Sequence, residues 1–145
     1  MAAEPSIERE IRIEASPETV FPYFTDPGRY TQWMGSAAEL EPMAGGRYRV
    51  GMRDGVQASG RFVEIDAPWR VVFTWGWTHD HAVAPGSARV EVTLAEEEGG
   101  TRVVLRHHGL PDDEQRMQHR KGWGLYLDRL GVRASGGDPG PDPNV

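Results

Sequence analysis

Between Asp112 and Leu130 one spacing repeats: His119, Trp123, Tyr126, Leu127 and Leu130 recur at steps of three and four residues. That is the helical period, so these side chains share one face. Arg120, Lys121, Asp128 and Arg129 fall mostly off that face and are expected in water. Asp112 suits the N-cap, and Gln115 stands three positions on, as in a capping box. At ~1.5 Å per residue the helix is about 25 Å or more long, enough to cross a small sheet. Gly122 and Gly124 flank Trp123, and each weakens a helix by up to ~1 kcal/mol relative to Ala. A packing reason is implied: the backbone approaches a sheet while the indole projects between strands. A helix with so aromatic a face requires a matching surface upstream.

That surface is legible in the alternation of Trp69–Thr78. Trp69, Val71, Phe73, Trp75 and Trp77 fall on one side of a strand. Val90, Val92 and Leu94 repeat the pattern on the next strand, and Val103, Leu105 and His107 on the last. Further strands are expected at 8–15, Ala37–Glu41, Arg47–Arg53 and Val56–Asp66. Gly45-Gly46, Asp54-Gly55, Ala67-Pro68 and Gly99-Gly100 provide the turns. Ser16-Pro17 opens a short helix that Pro22 should kink, because proline removes the hydrogen bond to the Glu18 carbonyl. A second short helix or turn carries Tyr30, Trp33 and Met34. The resulting expectation is an α+β fold. A curved antiparallel sheet of six to seven strands grips a long C-terminal helix, with two short helices after the first strand.

A chain of 145 residues suits one domain. We divide it into an N-terminal arm over 1–6, the domain over 7–133, and a tail over 134–145. The tail, ASGGDPGPDPNV, lacks an apolar cluster and is expected to be disordered. The polar linker THDHAVAPGS is expected to be a mobile loop. Net charge is −6, which argues against nucleic acid and anionic membranes as partners. The absence of cysteine excludes disulfides, thiolate zinc ligands and thiol catalysis. MAAEPSIERE has no basic start followed by an apolar run, so no signal peptide is expected, and a cytoplasmic location fits.

The order of several local features resembles the START-like, helix-grip superfamily, also called SRPBCC or polyketide cyclase-like. Within it the chain is similar to the AHSA-type family, named after the activator of the heat-shock-protein-90 ATPase. Ser16-Pro17, Trp33, Gly45-Gly46-Arg47-Tyr48, Gly60, Glu64, Pro68 and Val72-Phe73-Thr74-Trp75 carry the resemblance. Gly100-Thr101, His107, Gly109 and Gly122-Trp123 complete it. The resemblance implies a hydrophobic-ligand pocket in many relatives. It also implies ring closure in distant cousins, and co-chaperone activity in the eukaryotic namesakes, usually with a further domain. Met34 stands where many relatives carry a second Trp, and the Pro/Gly tail is extra.

Aromatic walls with a few polar groups suit a small, largely apolar ligand held between sheet and helix. The candidate lining is Trp33, Met34, Phe73, Trp75, Trp77, His107, His119, Trp123 and Tyr126. His107 is the one catalytic candidate: a general base in a cyclase or dehydratase reading, a ligand-orienting or core imidazole otherwise. A chaperone-linked interaction module, or a homodimer through exposed strands, is the third reading. No HExxH, GxSxG, phosphate-binding or dinucleotide motif occurs, so neither a metal nor a cofactor is expected. Glu39, Glu41 and Glu64 are the candidate inner carboxylates, Glu64 by sharing a face with Gly60 and Phe62.

Overall fold

The computed structural model describes residues 4–145. Strand β1 (Ile7–Ile13) buries Ile7 and Ile13 and leaves Glu8, Glu10 and Arg12 in water. Ser16 then caps α1 (Pro17–Val20), its Oγ accepting the Thr19 N–H at 3.2 Å. Pro22 ends that α-helix, and Phe21–Phe24 continue as a 3-10 turn, as a missing N–H requires. Asp26 caps α2 (Pro27–Tyr30) through the Arg29 N–H.

A meander follows: β2 (Ala37–Leu40), β3 (Arg47–Gly51), β4 (Gln57–Asp66), β5 (Arg70–Trp75), β6 (Ala88–Glu97) and β7 (Gly100–His108). β1 pairs with β7, so the curved sheet has seven strands in the order β1-β7-β6-β5-β4-β3-β2. Every pairing is antiparallel. Register aligns inner rows across it: Phe73, Val90, His107 and Ile7 face one another strand to strand. The outer face carries cross-strand ion pairs such as Arg106–Glu8 at 2.8 Å and Arg102–Glu97 at 2.6 Å. These are exposed, and each contributes at most about 1 kcal/mol.

α3 (Asp113–Ala134) lies across the inner face, with Trp123, Tyr126, Leu127 and Leu130 buried. Asp112 caps it, Oδ1 accepting the Gln115 N–H at 2.9 Å. The box is not closed, because the Gln115 amide donates instead to Asp80 at 3.4 Å. The two glycines have different reasons. A Cβ on Gly124 would fall 2.5 Å from the Arg9 guanidinium, so this residue makes room for a side chain of β1. A Cβ on Gly122 would meet nothing within 4 Å. No helix among the described residues is long and apolar enough to cross a membrane.

Several expectations are corrected. Trp69 does not share the inner face; it precedes β5 in the turn and is exposed. A register shift between Phe62 and Glu64 turns Glu64 outward, where it pairs with Arg70. Glu39 and Glu41 are also exposed and serve Arg47. The linker after Trp77 is pinned, with Val83 buried and its carbonyl accepting the Trp77 N–H at 2.7 Å. Arg129 is buried rather than wet. Within the tail over 134–145, the Pro139, Gly140 and Pro141 carbonyls, Asp142 and Asn144 find polar partners on the domain, contacts that stand in for the missing apolar surface. Residues 1–3 of the expected arm lie outside the described residues, and Ser6 donates its N–H to the His107 carbonyl at 2.8 Å.

Candidate functional site

Two groups of aromatic side chains form where one sheet face meets the helical segments. Phe24, Tyr30, Trp33, Tyr48, Phe62 and Phe73 pack together with almost no exposure. Tyr48 stacks on Phe73 at 4.1 Å between ring centroids, and the Tyr30 and Tyr48 hydroxyls bond one another. The second group is Trp75, Trp77, Trp123, His107 and His119. Trp75 lies 5.2 Å from Trp77 and 5.1 Å from Trp123 between centroids, and the two imidazoles are 5.1 Å apart.

The second group borders a cavity of about 450 Å³ between sheet and α3. Met34, Trp75, Trp77, His119, Trp123 and Tyr126 line it, as do Met52, Val56 and Gly122. The polar rim includes Arg53, Asp54, His79, Asp80, Gln115, Gln118 and Asn144. Trp33 and Phe73 do not reach this cavity; they belong to the closed aromatic group. His107 does not line it either. It is fully buried beneath, behind Trp75 and Trp123. Strand alternation found the inner face but could not say how deep each position lies. Met52, Arg53, Asp54 and Asn144 went unpredicted, because turns and a tail carry no periodic signal.

Hydrogen bonds fix the state of both histidines. An indole N–H can only donate. Trp123 Nε1 donates to His107 Nδ1 at 3.0 Å, so that nitrogen is the bare one. Trp77 Nε1 donates to His119 Nε2 at 3.1 Å, with Trp75 Nε1 at 3.4 Å. His119 Nδ1 therefore carries the proton and donates it to the Gln115 carbonyl at 2.8 Å. Burial pushes the basicity of His107 well below the ordinary histidine range, and neighbouring His119 and His108 push the same way. Burial also lowers His119, against the opposing pull of the Gln115 carbonyl and Asp80. Both rings are neutral at pH 7, and each basic lone pair is already engaged by an indole. Among the described residues no group of three His, Cys, Asp or Glu is placed to hold a metal ion.

The tail completes one end. Buried Arg129 donates through Nε to the Trp33 carbonyl at 3.0 Å, and through its terminal nitrogens to the Pro139, Gly140 and Pro141 carbonyls at 3.1–3.2 Å. Asp142 accepts from the Gly35 N–H at 2.9 Å and from the Tyr126 hydroxyl at 2.8 Å. The Asn144 amide donates to the same hydroxyl at 2.9 Å, and its carbonyl accepts from the Arg53 N–H at 3.0 Å. Burial raises the Tyr126 phenol, the Asn144 hydrogen bond opposes it, and Asp142 adds to the rise.

A family model described as Activator of Hsp90 ATPase homolog 1-like protein matches residues 14–134. The solution structure of an AHSA1-like protein from Rhizobium etli shares 41% identity, with 94% of this chain and 86% of that one covered and a TM-score of 0.74. DynU16, a protein of the dynemicin biosynthetic locus, superposes at a TM-score of 0.80 with 22% identity over 92% of this chain. The chain spans 48% of that longer protein. The Aha1 dimer of Colwellia psychrerythraea gives 0.79 at 17% identity, over 90% of this chain and 96% of that one. The latter two show the fold alone. No curated protein matches the chain.

Proposed function

Because this chain belongs to the family of Activator of Hsp90 ATPase homolog 1-like proteins, we propose that it is a START-like binding module whose cavity holds a small, largely apolar molecule. One observation carries this: an indole-walled cavity of about 450 Å³ beside which both imidazoles are neutral, the bare nitrogen of each already accepting from an indole N–H. The volume falls in the usual range for small-molecule sites, roughly 300–1,000 Å³. Three indoles and two methionines supply contact area. The rim amides of Gln115, Gln118 and Asn144 offer orienting hydrogen bonds to one polar end of a ligand.

The cyclase reading needs His107 as a base, and its bare nitrogen faces an indole N–H, not the cavity. A base must reach the proton it takes, directly or through one water. His119 borders the cavity but presents there a nitrogen already bonded to Trp77. Titration of tryptophan emission with the uncharged probe N-phenyl-1-naphthylamine tests the proposal, together with native mass spectrometry for a co-purified molecule. Saturable quenching without turnover of any molecule found is expected. Product that disappears in His107→Gln would replace this reading with the cyclase one.

A second reading rests on Met117, Leu125 and Val132, exposed along the outer side of α3. They supply an apolar stripe for a chaperone or a second copy of the chain. Size-exclusion chromatography with light scattering tests the homodimer; a monomer at high concentration removes it.

A further inference from the structure

The segment Asp138–Asn144 is bound to the domain as a peptide ligand would be, and what it binds to is a built site. Arg129 is a charged side chain on the core helix, 8% exposed. No carboxylate lies within ion-pair reach of it among the described residues; its donors go to the carbonyls of Trp33, Pro139, Gly140 and Pro141. A buried guanidinium is costly unless its donors are matched, and the segment provides most of the matching acceptors. Prolines at 139 and 141 suit this use, since they hold extended backbone and have no N–H to satisfy. Asp142 is then placed to receive both a backbone N–H at Gly35 and the Tyr126 hydroxyl. Asn144 closes the span to the β3–β4 turn at Arg53. The three anchor points are the α2–β2 turn, α3 and the β3–β4 turn, and each sits beside a cavity-lining residue: Met34, Tyr126 and Met52–Asp54. Asn144 itself lines the cavity.

We propose that residues 138–145 form an internal latch that closes the Tyr126 end of the cavity, so that a ligand enters through that end only when the latch lifts. The docking contacts stand on their own; the gating rests on the binding-module reading above. The chemistry favours reversible release. The bonds are polar, the segment buries no large apolar side chain, and lifting it opens Arg129 and Tyr126 to water, which takes the place of its oxygens. Asp142 is the keystone, because its carboxylate joins the α2–β2 turn to α3.

The test uses the full chain and Asp142→Ala, with Asn144→Ala as a second variant outside the folded core. Two readouts are taken: the amide resonance and hydrogen exchange of Gly35 by NMR, and the stopped-flow association rate of N-phenyl-1-naphthylamine. In the intact chain the Gly35 amide should be protected. In Asp142→Ala it should shift and exchange faster, and probe association should speed up by about tenfold, the factor of one charge-assisted hydrogen bond. Asn144→Ala should give a smaller change in the same direction. A Gly35 amide that is unprotected in the intact chain, or unmoved by Asp142→Ala, overturns the latch. A Gly35 amide that responds while association stays constant overturns the gating and leaves the binding module intact. Absence of probe binding in every variant, with Gly35 responding as expected, defeats the binding module and the gating together.

Discussion

The two aromatic groups are seated on the same sheet face, yet one is closed and the other borders a cavity. The difference lies in what the opposing elements supply. Phe24, Tyr30 and Trp33 come from the α1–α2 segment and fill the space over Tyr48, Phe62 and Phe73. Over Trp75 and Trp77 the opposing element is α3, which there presents Gly122 and the flexible Gln118. Gly122 has no neighbour within 4 Å of where its Cβ would stand. A glycine in mid-helix, otherwise a cost, leaves the room. The groups also differ in polarity. The closed one satisfies two phenols with one another; the open one satisfies three indoles with two imidazoles.

The largest expected contrast is in stability. Phe73→Ala should cost about 3–5 kcal/mol, as for large truncations in a filled core. Trp77→Ala, at the cavity wall, should cost below ~2 kcal/mol, since its indole is only half-buried. Urea denaturation of both variants checks this, and equal losses would mean that the second group is core as well.

The groups should next separate by pH. His107 and His119 have folded-state basicities below the unfolded value of ~6.5. The unfolded chain therefore binds the extra protons. Their contribution is fully present above pH ~6.5 and declines as pH falls, by up to ~1.4 kcal/mol per pH unit for each histidine. Tyr30 and Tyr48 are raised by burial, so their contribution is present below pH ~10 and is lost as pH rises past it. Unfolding free energies measured from pH 5 to 11 should show both arms. His119→Gln should reduce the acid arm and leave the alkaline one, whereas Tyr48→Phe should reduce the alkaline arm, to which the raised Tyr126 phenol also contributes, and leave the acid one.

The sequence carried the sheet, the helix and their facing surfaces, because burial of a face imposes a period. It carried Pro22 and Asp112 for the same local reason: a missing N–H and a capping carboxylate act within one turn. It did not carry the depth of a position. Phe73 and His107 share the inner face with Trp75 and Trp33 packs over it, and only packing decides that Trp75 sees the cavity. The bulge after Phe62 reversed Glu64, since a single extra residue inverts alternation. Arg129 misled because charge signals water unless a partner is known, and its partner is the segment whose Pro and Gly content reads as disorder. The tail could not be placed without the side chain that holds it.

A smaller effect sharpens the contrast at Gly122. Gly122→Leu should leave stability unchanged or raise it by up to ~1 kcal/mol, the helix-propensity gain, because the new side chain enters free space. It should nevertheless weaken probe binding by about tenfold, which a fluorescence titration beside a thermal melt would show.

The central claim is that the Trp75–Trp77–Trp123 group is a ligand wall and the Trp33 group is core. Fluorine NMR of the protein labelled with 5-fluorotryptophan tests it directly, since the chain has five tryptophans and each gives one resonance. Assignment by single Trp→Phe substitutions identifies them. On adding N-phenyl-1-naphthylamine, the resonances of Trp75, Trp77 and Trp123 should shift saturably, while those of buried Trp33 and exposed Trp69 stay in place. Shifts confined to Trp69, or a Trp33 resonance that moves with the others, would contradict the account.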